Sequence, residues 1–328
     1  MRPMSDYERA RSVALEAVRE AAVLCRRVQA SVTAAHLEKK DKSPVTVADF
    51  GSQALICRRL AEAFPEDPIM AEEGSAALRE LGNEGLLARV VEEVTRVRPE
   101  ADAAAVCAWI DRGSCREQRP RFWTLDPIDG TKGFLRGDNY AVALALIVDC
   151  EVVASALASP NLPVRPDEPE PRGMVFHAVR GQGARGLPLD EEGGEIDLQV
   201  SAQEDITQAR FCESYVSEHS DQDQSASVAE ALGITAAPVR LDSMTKYALV
   251  ACGRAEIYLR LPRAGYRENV WDHAAGALVL TEAGGRLTDA AGNPVAFRHG
   301  EKLQLEGGLV ASSGRWHERI LEAVRATS

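Results

Sequence analysis

The sequence has 328 residues, of which 45% are hydrophobic and 27% are charged, the usual composition of a folded globular protein. This length allows one large domain or two domains packed together. Fifty acidic and 38 basic residues give a net charge of −12, and no run of Lys or Arg supplies the basic face of a nucleic-acid-binding protein. The longest apolar run, Tyr140 to Val148, is about half as long as a membrane span. Composition therefore excludes a disordered chain, a coiled coil and a general binder of nucleic acid polymers, and it predicts no membrane association.

Residues 1–11 mix Arg with Asp and Glu and have no apolar core, which argues against a signal peptide or a transit peptide. We expect a cytoplasmic location, with an organellar one left open. The seven cysteines are scattered without a C-x-x-C pair, so we interpret them as reduced, structural thiols rather than zinc ligands or disulfides. No H-E-x-x-H motif occurs either, so any bound metal would have oxygen ligands.

Periodic apolar positions and turn residues predict the elements of the first half of the chain. They are helices at 5–30, 47–64, 84–98 and 102–111, then strands at 121–125, 139–148 and 151–157. Five prolines within residues 160–171 predict a surface loop and a seam between two halves of the chain.

The second half mixes both types of element. We predict a hairpin at 173–187, strands at 196–200, 256–259 and 307–312, and helices at 225–232, 243–252, 272–283 and 314–326. Mixed strands and helices indicate a layered α/β architecture. Residues 181–186 fit G-x-G-x-x-G, but the following L-P-L-D-E-E-G-G cannot begin a helix, so we predict a hairpin turn rather than a dinucleotide site.

An apolar strand ends at 126–131 in the motif D-P-I-D-G-T. Pro127 fixes the turn, so that Asp126 and Asp129 can converge on one side. Two neighbouring carboxylates repel each other unless a cation lies between them. A hard divalent cation with oxygen ligands, Mg²⁺ first, is the natural occupant. An ordinary acidic turn on the surface is the alternative.

Three further acidic positions stand in a suggestive order along the chain. Glu72 and Glu73 follow an apolar pair, Asp272 begins a helix of small residues, and Asp49 lies one turn into a helix. Helix capping alone would explain the last two. The order of all four acidic segments, rather than any one of them, indicates a shared site.

That order resembles a family, the lithium-sensitive, Mg²⁺-dependent phosphomonoesterases, which include inositol monophosphatases and 3'(2'),5'-bisphosphate nucleotidases. The motifs that carry the resemblance are D-K-S-P-V-T-V-A-D at 41–49, D-P-I-D-G-T-K-G-F-L-R-G at 126–137, Y-L-R-L-P at 258–262 and G-Y-R-E-N-V-W-D-H at 265–273. They are most similar to the bisphosphate nucleotidases. The resemblance implies an α-β-α-β-α sandwich, with an N-terminal α+β part at 1–165 that holds most metal ligands and a C-terminal α/β part at 172–328 that holds the substrate pocket. It also makes residues 75–121 a helical flap near the entrance.

The resemblance implies a role for each matching residue. Two or three Mg²⁺ ions would be bound by Glu72, Asp126, the backbone carbonyl of Ile128, Asp129 and Asp272. Asp49 and Thr131 would orient and deprotonate the attacking water, and the amides around Gly130 and Thr131 would hold the phosphate. Nucleotide contacts would come from His219, Ser243, Lys246 and Arg260. Met244 stands where a polar side chain is expected, which leaves base selectivity open.

The function implied is removal of the 3'-phosphate from 3'-phosphoadenosine 5'-phosphate, with 3'-phosphoadenylyl sulfate as a second substrate and lithium as an inhibitor. The chemistry suits direct attack by water, because metal ions neutralise the charge that protects a phosphate ester. An inositol phosphate or fructose bisphosphate phosphatase on the same scaffold is the nearest alternative, and a non-catalytic nucleotide or metal sensor is another. We expect a monomer or a homodimer.

Overall fold

The computed structural model describes residues 5–32, 43–190, 194–215, 222–261 and 266–327. Helix α1 (Asp6–Ala30) begins with a capping box, in which the Glu8 amide donates to the Ser5 hydroxyl (3.2 Å) and the Ser5 amide donates to the Glu8 carboxylate (2.6 Å). Helix α2 (Ser43–Ala63) packs along it. Helix α2 begins four residues earlier than Val47, because Pro44 is acceptable in the first turn, where its missing N–H has no helical partner.

The larger sheet has seven strands in the order of the chain. They are β1 (Ile69–Ala71), β2 (Arg121–Asp129), β3 (Ala141–Val148), β4 (Glu151–Pro163), β5 (Arg172–Val179), β6 (Ala184–Pro188) and β7 (Ile196–Asp197). Neighbouring strands are antiparallel except β1 and β2, which are parallel. β1 and β2 therefore end at the same edge of the sheet.

The smaller sheet has the strand order β11-β12-β10-β8-β9. Its strands are β8 (Phe211–Glu213), β9 (Val239–Arg240), β10 (Ile257–Arg260), β11 (Arg286–Asp289) and β12 (Leu309–Ser312). The remaining helices are α3 (Glu84–Thr95), α4 (Ala103–Asp111), α5 (Thr131–Arg136), α6 (Gln222–Leu232), α7 (Thr245–Ala251), α8 (Ala274–Glu282) and α9 (His317–Thr327).

The layers form the predicted α-β-α-β-α sandwich. Helices α1 and α2 cover one face of the larger sheet, α7 and α8 lie between the two sheets, and α6 and α9 cover the outer face of the smaller sheet. Strand β3 shows why its sequence is a continuous apolar run: Leu144 and Leu146 face the α1–α2 side, while Ala143, Ala145 and Ile147 face α8. A strand buried on both faces has no polar side to alternate with.

The proline-rich segment differs from the prediction. Strand β4 continues through Pro160 to Pro163, and only residues 164–171 form the connection to β5. The pairing of β4 with β5 is irregular between Ser159 and Pro163, which is where a residue without an N–H can be accommodated in a strand. β4 and β5, on either side of residues 164–171, are neighbours in one sheet, and the chain passes from the larger to the smaller sheet between Asp197 and Phe211. A division of the chain at residues 165–172 stays a prediction.

Three smaller differences concern the ends of elements. Strand β7 covers only two of the five residues predicted at 196–200, α7 begins at Thr245 rather than at residue 243, and Asp272 lies in the turn before α8. The glycine-rich segment is the turn between β5 and β6, as predicted, and the amides of Gly181 and Gly183 donate to the carboxylate of Glu282 (2.8 and 2.9 Å). Within the described residues, no helix is long and apolar enough to cross a membrane.

Candidate active site

Four acidic residues meet at the shared edge of β1 and β2. The pairing of β2 with β3 shifts between Asp126 and Asp129, and the Ser52 hydroxyl donates to the carbonyl of Pro127 (3.0 Å), which fixes this irregular turn. Carboxylate oxygens of Asp126, Asp129 and Asp272 all lie within 4.8 Å of one another. Glu72 follows β1 directly and lines the same cleft. We call Glu72, Asp126, Asp129 and Asp272 the acidic cluster.

The electrostatics of the acidic cluster fit a bound cation. Burial raises the pKa of Glu72 to about 8, and the charges of Asp272, Glu73 and Asp129 add to this shift. Burial, followed by the charges of Glu72 and Asp129, also raises the pKa of Asp126 well above its usual value. The buried Oδ1 atom of Asp126 has no hydrogen-bond partner within the described part of the chain. Because all the donors are hard oxygens, this cluster fits a hard divalent cation such as Mg²⁺.

The two residues predicted to act on the water lie on α2 and at the start of α5. Asp49, on α2, is 7% exposed, and its pKa is raised well above the usual value by burial and by the charges of Glu73 and Glu72. Asp49 also raises the pKa of Asp126, which places it within electrostatic range of the cluster. Thr131, the first residue of α5, is exposed and lines the cleft.

A close approach of two loops forms the wall beside the acidic cluster. Gly130 has a φ of +92°, and a Cβ atom there would lie 3.0 Å from the Cβ of Ser243, so a larger residue would be strained and crowded. Ser243 itself has a φ of +80°, and its hydroxyl donates to that of Thr245 (2.8 Å). The amide of Met244 donates to the carboxylate of Asp129. The Met244 side chain is buried in the apolar core rather than in the cleft, so its lack of a polar group does not alter the cleft.

Two cations, a buried lysine and a partly buried arginine, line the cleft together with the acidic cluster. Lys246 is 2% exposed, and its Nζ lies 3.0 Å from the Ser214 hydroxyl and 3.3 Å from the carbonyl of Leu241. Burial lowers the pKa of Lys246 to about 8, with the nearby charge of Arg260 adding to the shift and that of Asp129 opposing it. The sequence places a second cation, Arg260, at the end of β10.

Arg260 is held by a buried carboxylate. Its Nε donates to Oε1 of Glu268 (2.9 Å), and a terminal nitrogen lies 2.9 Å from Oε2. Glu268 also contacts Nε2 of His273 (3.1 Å), and His273 in turn contacts the hydroxyl of Tyr247 (2.8 Å). Although burial opposes it, hydrogen bonding to His273 and the charges of His273 and Arg260 lower the pKa of Glu268 to about 2. This chain of contacts joins β10 to the residue that follows Asp272.

The cleft has a volume of about 270 Å³. It contains ten of the residues predicted for the site, namely Glu72, Asp126, Ile128, Asp129, Gly130, Thr131, Ser243, Lys246, Arg260 and Asp272. Asp49 lies behind this surface, and His219 lies outside the described residues. The cleft also contains Lys132, Ser214, Asp242, Tyr266 and Asn269, which sequence reasoning missed. Lys132, Tyr266 and Asn269 lie inside the quoted motifs, and Asp242 directly precedes Ser243, so these four had a signal in the sequence.

The segment predicted to be a flap packs against α2. None of residues 75–121, all of which the structure describes, lines the cleft. Helices α3 and α4 contact α2. A role of this segment at the entrance stays a prediction.

Comparison with known proteins agrees with this architecture. A model of the inositol monophosphatase family matches residues 6–328. The 3'(2'),5'-bisphosphate nucleotidase of Schizosaccharomyces pombe is 39% identical, over 98% of this chain and 96% of that protein. The 3'(2'),5'-bisphosphate nucleotidase 1 of Arabidopsis thaliana is 42% identical, over 97% and 96%.

Solved structures show the same fold. SuhB of Mycobacterium tuberculosis gives a TM-score of 0.63 at 25% identity, covering 99% of this chain and 98% of that one. An inositol monophosphatase from Anabaena gives 0.61 at 18% identity, covering 98% and 97%. The resemblance seen in the motifs is thus confirmed over nearly the full length, and the chain belongs to the inositol monophosphatase family.

Proposed function

We propose that this protein is a Mg²⁺-dependent phosphomonoesterase that removes the 3'-phosphate from 3'-phosphoadenosine 5'-phosphate and releases AMP and phosphate. 3'-Phosphoadenylyl sulfate, which has the same 3'-ester, is the second proposed substrate. The observation that carries the proposal is one cleft lined both by the acidic cluster and by two cations, Lys246 and Arg260. The names of the relatives, 3'(2'),5'-bisphosphate nucleotidases, support the choice of substrate.

In this proposal Glu72, Asp126, Asp129, Asp272 and the carbonyl of Ile128 hold two or three Mg²⁺ ions. Bound Mg²⁺ would neutralise the charge of the phosphate ester, lower the pKa of a water molecule and stabilise the departing alkoxide. The raised pKa values of the cluster and the unpaired oxygen of Asp126 support this ligand set, because a cation relieves the repulsion between buried carboxylates.

The other residues of the chain orient the reactants. Asp49 and the Thr131 hydroxyl are proposed to hold the attacking water and accept its proton, and the amides at Gly130 and Thr131 to hold the phosphate that is removed. The close packing of Gly130 against Ser243 keeps this loop in one position, which favours a fixed reaction geometry.

The second phosphate of the nucleotide accounts for the cations. Lys246 and Arg260 supply charged donors for a 5'-phosphate, Ser243 supplies a hydroxyl beside them, and His219 is proposed as a further nucleotide contact. An inositol monophosphate has no second phosphate to occupy this part of the cleft. The two cations therefore favour the nucleotide over the inositol ester.

The test is phosphate release from 3'-phosphoadenosine 5'-phosphate, inositol 1-phosphate and fructose 1,6-bisphosphate, measured side by side with Mg²⁺ and then with added Li⁺. We expect preference for the nucleotide, no turnover with chelator, and inhibition by Li⁺. Preference for either sugar phosphate would keep the metal site but contradict the assigned substrate. Nucleotide binding without phosphate release would indicate a sensor and contradict the proposed activity.

A further inference from the structure

The segment between Glu72 and Asp126 contains a helical insert, residues 75–115, whose last residues pair with β1. The amide of Ala71 donates to the carbonyl of Gly113 (3.0 Å), and the amide of Cys115 donates to the carbonyl of Ile69 (3.0 Å). β1 therefore has β2 on one side and the end of the insert on the other. Glu72 therefore directly follows a strand that is hydrogen-bonded along both edges.

Gln53 connects the insert to the turn that carries Glu72. It lies on α2, four residues after Asp49, and its side chain is fully buried. Its Nε2 donates to the carbonyls of Glu73 (2.7 Å) and Ile110 (3.0 Å), and its Oε1 accepts from the amide of Glu73 (3.0 Å). Both donor hydrogens of the amide are thus used, and one side chain fixes both backbone groups of the residue after Glu72.

Two more contacts hold the same turn. The amide of Ser75 donates to Oδ1 of Asp111 at the end of α4 (3.0 Å). A Cβ atom on Gly113 would lie 2.6 Å from the Cβ of Ala71 and 2.9 Å from Nε2 of Gln53, so only glycine allows the insert to approach this closely. The backbone is therefore tied to the insert or to Gln53 at residues 71, 73 and 75, on both sides of Glu72.

Such support has a physical purpose at this position. Glu72 lines one cleft together with Asp129 and Asp272, and neighbouring carboxylates repel each other, so a free turn would move the Glu72 carboxylate away from the cluster. Returning the Glu72 carboxylate to the cluster would then use part of the free energy of cation binding. A backbone that is fixed in advance removes this cost, and partners behind metal ligands commonly set metal affinity in this way.

We propose that Gln53 is a positioning residue for Glu72, and that the helical insert supports the metal site from behind. The proposal rests on the proposed function, in which Glu72 binds Mg²⁺. It assigns a role both to a buried amide that touches neither substrate nor metal and to a segment that does not reach the cleft.

The test is the Mg²⁺ affinity of Gln53→Met, which keeps the length of the side chain and removes all three hydrogen bonds. We expect Mg²⁺ binding, measured by titration calorimetry without substrate, to weaken by about 10- to 100-fold. The Mg²⁺ concentration for half-maximal activity should rise by the same factor, while saturating Mg²⁺ restores kcat and leaves KM for the nucleotide unchanged. A merely structural role would lower the melting temperature without this separation.

Arg254→Met is the matched control, because it also removes two side-chain bonds to backbone carbonyls, those of Pro163 (2.8 Å) and Val164 (2.6 Å), away from the cleft. It should lower the melting temperature and leave Mg²⁺ affinity unchanged. Asp111→Ala removes the hydrogen bond from the Ser75 amide and should also weaken Mg²⁺ binding. This variant is used for the test if Gln53→Met does not fold. Wild-type affinity in the folded variant, or an equal loss in Arg254→Met, would overturn the proposal. Failure of the unmodified protein to bind Mg²⁺ would contradict the proposed function itself and this inference with it.

Discussion

Lys246 is an ammonium group buried between a carboxylate and a guanidinium. Because burial and the charge of Arg260 bring its pKa to about 8, against the opposing charges of Asp129 and Asp242, Lys246 is protonated below that pH and neutral above it. A neutral amine no longer attracts a phosphate by charge. The activity of the protein on a bisphosphate should therefore depend on pH in a range where phosphate ionisation is already complete.

We expect kcat/KM for 3'-phosphoadenosine 5'-phosphate to fall as pH rises through about 8, by up to about tenfold per pH unit. Lys246→Arg keeps the charge at every pH tested, so its kcat/KM should not show this fall. The measurement is a pH profile of initial rates for both proteins at saturating Mg²⁺. A fall of the same size in Lys246→Arg would mean that another group causes it.

Asp126 provides a second prediction for a single residue. Asp126→Asn keeps the shape of the side chain but removes one of the four charges of the acidic cluster. Turnover should decrease by more than about 100-fold, which is the largest effect usual for removing a residue that only supports a metal ligand. The metal-free variant should unfold at a higher temperature than the metal-free parent, because the neutral amide avoids both the burial of a carboxylate and the repulsion by Glu72 and Asp129 that raise the pKa of Asp126. Calorimetry in chelator, with a circular dichroism spectrum as a check of the fold, measures this; a lower unfolding temperature would contradict it.

The residues of the site that could be predicted from the sequence are those in short local motifs. Asp126 and Asp129 share one turn, and their neighbours Gly130 and Thr131 follow directly, so spacing alone brings them together. Ser214 could not be found in this way, because it reaches the cleft only through the parallel pairing of β8 with β10. The support from Gln53 was also missed, since a glutamine within an apolar helix gives no signal of the backbone groups that it binds.

At the scale of elements, the contact between α7 and α8 sets the position of Asp272. Gly276 lies in the first turn of α8, and a Cβ atom there would lie 2.4 Å from a ring carbon of Tyr247 on α7. Tyr247 is fully buried and its hydroxyl is hydrogen-bonded to His273, so its ring has little freedom to move. The two helices can approach this closely only because residue 276 has no side chain.

Gly276→Ala should therefore destabilise the protein by about 1–3 kcal/mol, since an extra methyl group in a packed core forces its neighbours to move. Gly85→Ala is a matched control: it lies in the first turn of α3, with no atom within 4 Å of the added Cβ, and should be neutral or stabilising by up to about 1 kcal/mol. Urea unfolding of both variants gives the comparison. Equal stability of the two would show that the α7–α8 contact adjusts without cost.

Element types were more predictable than their connections. Apolar periodicity indicated α1, because a helix buried along one stripe has apolar residues at helical spacing. A continuous apolar run indicated β3, because a strand buried on both faces has no polar side. The prolines at 160–163 were misleading: their usual effect is to end a strand, but here an irregular pairing allows β4 to continue. Local propensity could not reveal that β5 would join the same sheet, since that depends on a partner strand across a loop.

At the scale of the whole molecule, two buried histidines, one in the larger sheet and one at the start of α9 beside the smaller sheet, share one electrostatic property. Burial lowers the pKa of His177, in the larger sheet, to about 4, with Arg11 and Arg185 adding to the shift and Glu195 opposing it. Burial and the charge of Arg286, opposed by Glu318, lower the pKa of His317 to about 4 as well. His317 makes hydrogen bonds with the hydroxyls of Thr288 (2.9 Å) and Ser312 (2.8 Å) beside the smaller sheet.

A histidine that is neutral in the folded protein but can accept a proton when unfolded stabilises the fold only above its unfolded pKa, near 6.5. As pH falls from 6.5 towards 4, the unfolded chain binds more protons than the folded one, and each histidine should reduce the free energy of unfolding by about 1.4 kcal/mol per pH unit. In His317→Gln the free energy of unfolding should decrease less between pH 6.5 and pH 5 than in the parent, by the amount that one histidine contributes. His299→Gln, a change at an exposed position, should match the parent. Urea unfolding of the three proteins at both pH values measures the difference, from which the titration of the carboxylates, common to all three, cancels. An equal decrease in the free energy of unfolding in His317→Gln and in the parent would show that His317 does not contribute to the pH dependence of stability.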